Sequence, residues 1–202
     1  MASKTEIANL ALFHLGNGKE ISNLDTDRGE NALVCRRFYD IALKATLRDF
    51  PWPFATKIAD LVLVEEDPND DWSYSYRYPS DCVLLRRILS GTYPDTQATR
   101  ISYKLAQDDA DGLIIFTDQD DAQAEYTLLA ENPLIYTQDF VIAFSYRLAT
   151  FIAPRVSGAD FQKIAATCFN NYLYEISKAE VNAVNEESPG QAPDAEYIRA
   201  RE

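Results

Sequence analysis

Residues 72–78 read WSYSYRY, in which Trp72, Tyr74, Tyr76 and Tyr78 alternate with serine and arginine. Successive side chains of a β-strand point to opposite faces of a sheet, so this period of two predicts a strand with one aromatic face. The stretches before and after this part of the chain show helical periods instead. The alternation therefore places a β region between two helical regions.

The β region extends from about Ile58 to Leu129. Proline, glycine, asparagine and aspartate divide it into short runs. The predicted strands are Leu61–Val64, Trp72–Tyr78, Cys82–Leu89, Arg100–Leu105, Leu113–Thr117 and Ala124–Leu129. We expect the last two to form a hairpin around residues 118–121.

Two helices are predicted before the β region. Ser3 and Glu6 have the spacing of a capping box, and Gly16 ends the first helical pattern. A second capping box, Asp27 with Glu30, opens a longer helix that ends before Pro51. Its predicted buried stripe is Val34, Phe38, Ile41 and Ala45.

Two more helices are predicted after Pro133, separated by Pro154. The first has the stripe Phe140, Phe144, Leu148 and Phe151. Ser157 is expected to cap the second, whose stripe is Phe161, Ala165, Cys168, Tyr172, Ile176, Ala179 and Ala183. From Asn185 the chain is polar and contains prolines, which predicts an extended tail.

These elements predict an α+β fold, in which a small antiparallel β domain interrupts a four-helix bundle and an extended C-terminal tail follows. The bundle takes residues 1–57 and 131–184, the inserted β domain residues 58–130, and the tail residues 185–202.

Composition limits the function. With 32 acidic against 19 basic residues the formal net charge is −13, which disfavours a protein that grips DNA through its phosphates. DNA can still pass an acidic surface without sequence-specific binding. Three separate cysteines without a CxxC pair indicate reduced core residues, and no apolar run is long enough to cross a membrane.

Several residues that could form a binding or catalytic site also have a simpler structural explanation. The aromatic strand could stack sugars or bases as an acidic binding module, but packing within the sheet is the favoured interpretation. Asp118, Asp120 and Asp121 fit a turn better than a calcium loop, and His14 has no nucleophile at a suitable spacing. A carboxylate-dependent cell-wall hydrolase stays an alternative, since many acidic residues are present. No catalytic residue, cofactor or metal is predicted.

Two stretches of the sequence resemble a known protein family. Residues 47–55, LRDFPWPFA, and residues 78–86, YPSDCVLLR, resemble the tail tubular protein A family of phage head-to-tail adaptors. The helix from Phe140 to Ala153, the alanine-rich last helix and the arginine-bearing terminus are also similar to the family pattern. Together these features cover nearly the whole chain.

The resemblance implies a structural virion protein and not an enzyme. Identical subunits would form a twelvefold ring between the portal protein and the tail nozzle or tail tube protein, around the DNA that is ejected. Such a protein is made in the host cytoplasm and located in the virion at the head–tail interface. The acidic residues at 65–71 and 108–121 depart from the family pattern, so the contact with a tail partner is expected to differ from that of relatives.

Two sets of contact residues are predicted within this framework. Arginines on predicted helices of an acidic chain can meet the acids of a neighbour, which gives the ring-contact set Arg36, Arg37, Arg48 and Arg147. Aromatic and arginine side chains are frequent interface anchors, and they return near the end of the tail. The predicted portal-docking set is Tyr197, Ile198, Arg199 and Arg201.

Overall fold

The computed structural model describes residues 2–91, 99–108 and 112–186. Within them the helices are α1 (Lys4–His14), α2 (Glu30–Asp49), α3 (Gln138–Val156) and α4 (Phe161–Glu186). The strands are β1 (Thr56–Asp60), β2 (Leu63–Asn69), β3 (Trp72–Arg77), β4 (Cys82–Leu89), β5 (Tyr103–Gln107), β6 (Leu113–Thr117) and β7 (Gln123–Leu128). Two helices thus precede the strands and two follow them, which confirms the predicted mixture of helices and antiparallel strands.

Helix α3 packs against each of the other three helices. Its Phe140, Phe144 and Leu148 are fully buried, as their spacing predicts. Phe140 meets Trp52 edge to face at 4.9 Å between ring centroids, and the Trp52 indole N–H donates to the Thr46 carbonyl at 3.0 Å. The turn after α2 is therefore part of the helical core.

The predicted start of α1 is confirmed. Ser3 Oγ accepts from the Glu6 backbone N–H at 3.1 Å, and the Glu6 carboxylate accepts from the Ser3 N–H at 2.9 Å. This reciprocal pair satisfies backbone donors that the first turn of a helix leaves free. The helix ends before Gly16, whose φ of 71° suits a residue without a side chain.

The predicted start and buried stripe of α2 were wrong. Asp27 Oδ1 accepts from the Gly29 N–H at 2.8 Å, and Gly29 is the N-cap without a side-chain bond. The buried residues are Ala32, Cys35, Tyr39, Ala42, Leu43, Thr46 and Leu47, one position away from the predicted stripe, and Ile41 is exposed. One residue rotates a helix face by about 100°, so α2 turns its alanines and Cys35 to the core.

The predicted boundary between α3 and α4 was also wrong. Helix α3 continues through Pro154 to Val156, and the Ser157 N–H donates to the Ala153 carbonyl at 2.9 Å. Ser157 therefore ends α3, and its buried hydroxyl has no hydrogen-bond partner among the described residues. The last helix starts at Phe161 and runs to Glu186, past the expected start of the tail at Asn185.

The strands form two antiparallel sheets. Strands β1, β7 and β4 form one in that order, and β2, β3, β6 and β5 form the other. Strand β1 is missing from the sequence prediction, and the strand expected at Arg100–Leu105 begins only at Tyr103. The aromatic alternation in β3 is confirmed as packing, since Tyr76 is 2% exposed and its hydroxyl donates to the Gln119 carbonyl at 2.9 Å.

The predicted hairpin around residues 118–121 was wrong. Strand β6 is paired on both sides, with β3 and β5, so no edge is left for β7. The turn instead carries the chain into the other sheet. Asp118 anchors it by accepting from the N–H and the hydroxyl of Ser73, at 3.0 and 3.2 Å.

Two hydrophobic clusters stabilise these layers. The larger one joins the four helices and includes Cys35 and Cys168, both free thiols. The smaller one lies between the sheets, around Tyr76, Ile115 and Tyr126. Leu128 packs against both clusters, so the β part is fixed to the helical part through β7.

Candidate interaction surfaces

Two of the predicted ring-contact arginines bind carbonyl groups of the chain itself. The Arg36 guanidinium donates to the Leu24 carbonyl at 2.9 and 2.6 Å and to the Asp27 carbonyl at 2.8 Å, which fastens the loop before α2. Arg48 donates to the Val83 carbonyl at 2.9 Å and so joins α2 to β4. Both have a structural role within the chain.

Arg147 is enclosed by aromatic rings. Its guanidinium carbon lies 5.4 Å from the ring centroid of Phe151, 5.3 Å from that of Phe169 and 5.0 Å from that of Tyr172. One of its nitrogens lies 3.8 Å from Asp49 Oδ2, and its side chain is only 19% exposed. A cation over ring faces is attracted by their negative centres, so Arg147 ties α3 to α4 and α2.

Arg37 differs from the other three predicted ring-contact arginines in that it has no polar partner within the described part of the chain. It is exposed. It lines a groove of about 530 Å³, together with Glu30, Leu33, Val34, Phe38 and Arg155. We call this the α2 groove.

The α2 groove combines apolar side chains with two arginines and one acid, Glu30, so its lining carries a net positive charge. Leu33 is 52% exposed at its rim, and Phe38 stacks on Phe151 of α3 at 6.3 Å between centroids. Arg155, like Arg37, is exposed and has no polar partner within the described part of the chain. Sequence reasoning missed Leu33 and Arg155, although the helical spacing of Leu33, Arg37 and Ile41 was a usable signal.

The β part carries the opposite charge on its edge. Among the strands that the structure describes, β2 pairs only with β3, so its other side has no strand partner there. Val62, Leu63 and Val64 are 67%, 44% and 40% exposed, and the exposed acids Glu65, Glu66 and Asp67 follow them directly. We call residues 62–67 the acidic edge.

The field around the acidic edge is negative. The pKa of Tyr74 is raised, chiefly by the charge of Asp120 and also by Glu66, Asp67 and Asp121. Asp120 Oδ1 accepts from the Asp121 N–H at 2.9 Å, and no group of metal-ligating side chains was found among the described residues. These acids therefore give this end of the β part a negative charge.

His14 lies in a second groove, of about 630 Å³, between α1 and α4. Its ring stacks on Tyr146 at 3.8 Å between centroids, and Nε2 lies 2.9 Å from Ser145 Oγ. Ser145 is fully buried, and its hydroxyl already donates to the Ile142 carbonyl at 2.7 Å. Nε2–H must then be the donor to Oγ, so His14 is not placed as a base for this serine.

The groove beside His14 has mixed charge, since Asp160 and Lys163 both line it. Phe13 stands at its rim and is 76% exposed. Burial lowers the pKa of His14, so the ring is held neutral.

Asp81 is one carboxylate whose environment bears on the hydrolase alternative. It accepts from Lys57 Nζ at 2.8 Å and from the Tyr126 hydroxyl at 2.9 Å. The hydrogen bond from Lys57 is the main cause that lowers the pKa of Asp81. A general acid of a glycosidase needs a raised pKa, so Asp81 is unsuited to that task.

The predicted portal-docking residues Tyr197, Ile198, Arg199 and Arg201 lie outside the described residues. No helix in the described ranges is both long and apolar enough to traverse a membrane. No family model matches the chain, and no curated protein matches it significantly.

Proposed function

We propose that this chain is a structural subunit of a phage particle, one copy of a ring that joins the portal to the tail nozzle or tail tube. In this proposal the four helices form the bundle that meets neighbouring subunits, and the tail from residue 187 docks on the portal. The passing DNA is surrounded without being gripped. No catalytic step is part of the function.

The observation that supports the proposal best is the α2 groove. It offers an exposed leucine and two arginines that have no polar partner among the described residues, on a chain whose formal net charge is −13. A subunit that forms a ring needs two different complementary surfaces, because each copy meets its neighbours head to tail. Apolar patches bordered by polar groups are the usual mark of such a contact.

Contacts within the chain favour Arg37 among the four proposed ring-contact arginines. Arg36, Arg48 and Arg147 are engaged within the chain, so Arg37 stays as the candidate, with Arg155 added. Exposed ion pairs contribute only about 0–1 kcal/mol each, so Leu33 and its neighbours must supply much of the affinity.

Electron microscopy of the purified chain mixed with its portal protein tests the proposal. We expect a ring of added density on the tail-side face of the portal, and weaker assembly of the Arg37→Glu/Arg155→Glu variant with a strong dependence on salt. Lys104→Glu/Lys163→Glu is the matched control, since these exposed lysines lie outside the α2 groove. A portal that gains no density would refute the adaptor function.

A further inference from the structure

We propose that the acidic edge of a second copy of this chain occupies the α2 groove. The inference rests on the proposed function, because it names the partner of the ring-contact surface. It joins two surfaces of the same subunit, the groove with Arg37 and Arg155 and the edge with Glu65 and Glu66.

Charge complementarity is the first argument. The two exposed arginines of the groove have no polar partner among the described residues, and a run of three exposed acids on the edge has none to neutralise it within β2. Two guanidinium groups that have no polar partner in the described part of the chain are attracted by the acidic edge of another copy.

Apolar content is the second argument, because it selects this edge among the acidic surfaces. The acids of residues 65–67 directly follow three exposed aliphatic residues, and the groove presents Leu33 above Val34 and Phe38. The outer face of α4 also exposes apolar groups, Leu173, Tyr174 and Val181, but Lys178 lies among them. The groove beside His14 likewise carries a lysine.

Repulsion disfavours contact between two acidic edges. If two copies of β2 paired with Glu65 and Glu66 opposite one another, like charges would meet, which is destabilising. The oppositely charged α2 groove is a better partner for the edge. A contact between different surfaces leaves one groove and one edge free at the ends of a small oligomer, so further subunits can add, and in the proposed function the ring closes only on the portal.

Mixing two charge-reversed variants tests the inference. Arg37→Glu/Arg155→Glu has an acidic groove and an acidic edge, and Glu65→Arg/Glu66→Arg has a basic groove and a basic edge. Each alone should associate about tenfold more weakly than the wild type at low salt, because its own surfaces repel. The equimolar mixture should recover association, since each groove then meets an edge of opposite charge.

Sedimentation velocity over a concentration series measures this, at low salt and at about 0.5 M salt, where screening should reduce all differences. The Lys104→Glu/Lys163→Glu variant is the control for changed net charge, and a thermal melt confirms that each variant is folded. A mixture that associates no better than its components overturns the inference.

Other occupants of the groove give other results. If arginine reversal weakens self-association but edge reversal does not, the groove binds another segment and the inference is wrong. If arginine reversal abolishes only portal binding, the groove holds the portal, which also overturns it. Portal binding by the wild type is scored separately, so a chain that self-associates through these surfaces without binding a portal would refute the adaptor function alone.

Discussion

Replacing Arg147 by alanine tests whether this residue stabilises the subunit or contacts a neighbour. In the structure its guanidinium faces the rings of Phe151, Phe169 and Tyr172 and lies 3.8 Å from Asp49 Oδ2. A desolvated cation over an aromatic ring contributes up to about 2 kcal/mol, and the aliphatic stem adds packing that alanine loses. The ion pair adds little, because the Asp49 side chain is 42% exposed.

We therefore expect Arg147→Ala to lower the free energy of unfolding by about 2–3 kcal/mol, without a tenfold effect on assembly of the folded fraction. For a chain of this size each kcal/mol shifts the melting temperature by about 2–4 °C, so the fall is about 4–12 °C. Urea unfolding and thermal melting followed by circular dichroism measure both quantities.

Two control variants sharpen this experiment. Arg147→Lys keeps the charge but loses the planar group that lies over the rings, so it should fall between alanine and the wild type. Arg37→Ala should stay within about 0.5 kcal/mol of the wild type, because its side chain is exposed. An Arg147→Ala variant of wild-type stability that fails to assemble would refute the aromatic enclosure and restore Arg147 as a ring contact.

Three further predictions concern the tail, the free protein and pH. Removing residues 187–202 leaves α4 whole, so the melting temperature should be unchanged while portal binding is lost; normal joining of portals to tails by the truncated chain would show that Tyr197, Ile198, Arg199 and Arg201 are not the docking element. Light scattering should find the free protein as a monomer or small oligomer, and a stable large ring without the portal would contradict this. Burial lowers the pKa of His14 from 6.5, so the unfolded chain binds a proton first and stability should fall as the pH drops below about 6.5. His14→Gln should flatten this slope between about pH 7 and 5.5, and urea midpoints that depend on pH as in the wild type would contradict the assignment.

The elements with strong local signals were predictable from the sequence. The capping box at Ser3, the stripe through Phe140, Phe144 and Leu148, and the aromatic alternation of β3 each depend on neighbours within a few residues. Local geometry decides such features, so one sequence suffices to find them.

Features that depend on distant partners were not predictable. Whether β6 turns back on β7 depends on whether β3 and β5 already occupy its two edges, and those strands lie elsewhere in the sequence. The sequence predicts Arg36, Arg48 and Arg147 as surface charges that are available to a neighbour. Their partners in the structure are two backbone carbonyls and a group of aromatic rings, which become neighbours only in the fold.

The predicted buried stripe of α2 was wrong because this helix has more than one apolar face. A helix that buries one face against a core shows one apolar stripe, and the stripe is usually easy to find. Helix α2 has two, since Cys35, Tyr39 and Ala42 face the core while Leu33 and Ile41 face outwards. The predicted stripe combined the exposed Ile41 with Val34 and Phe38, which are half-buried and pack against the helical cluster, because these residues are larger than the buried alanines. Under the proposed function, Leu33 and Ile41, with Arg37 between them, are the residues of α2 that would meet the acidic edge of a neighbouring copy.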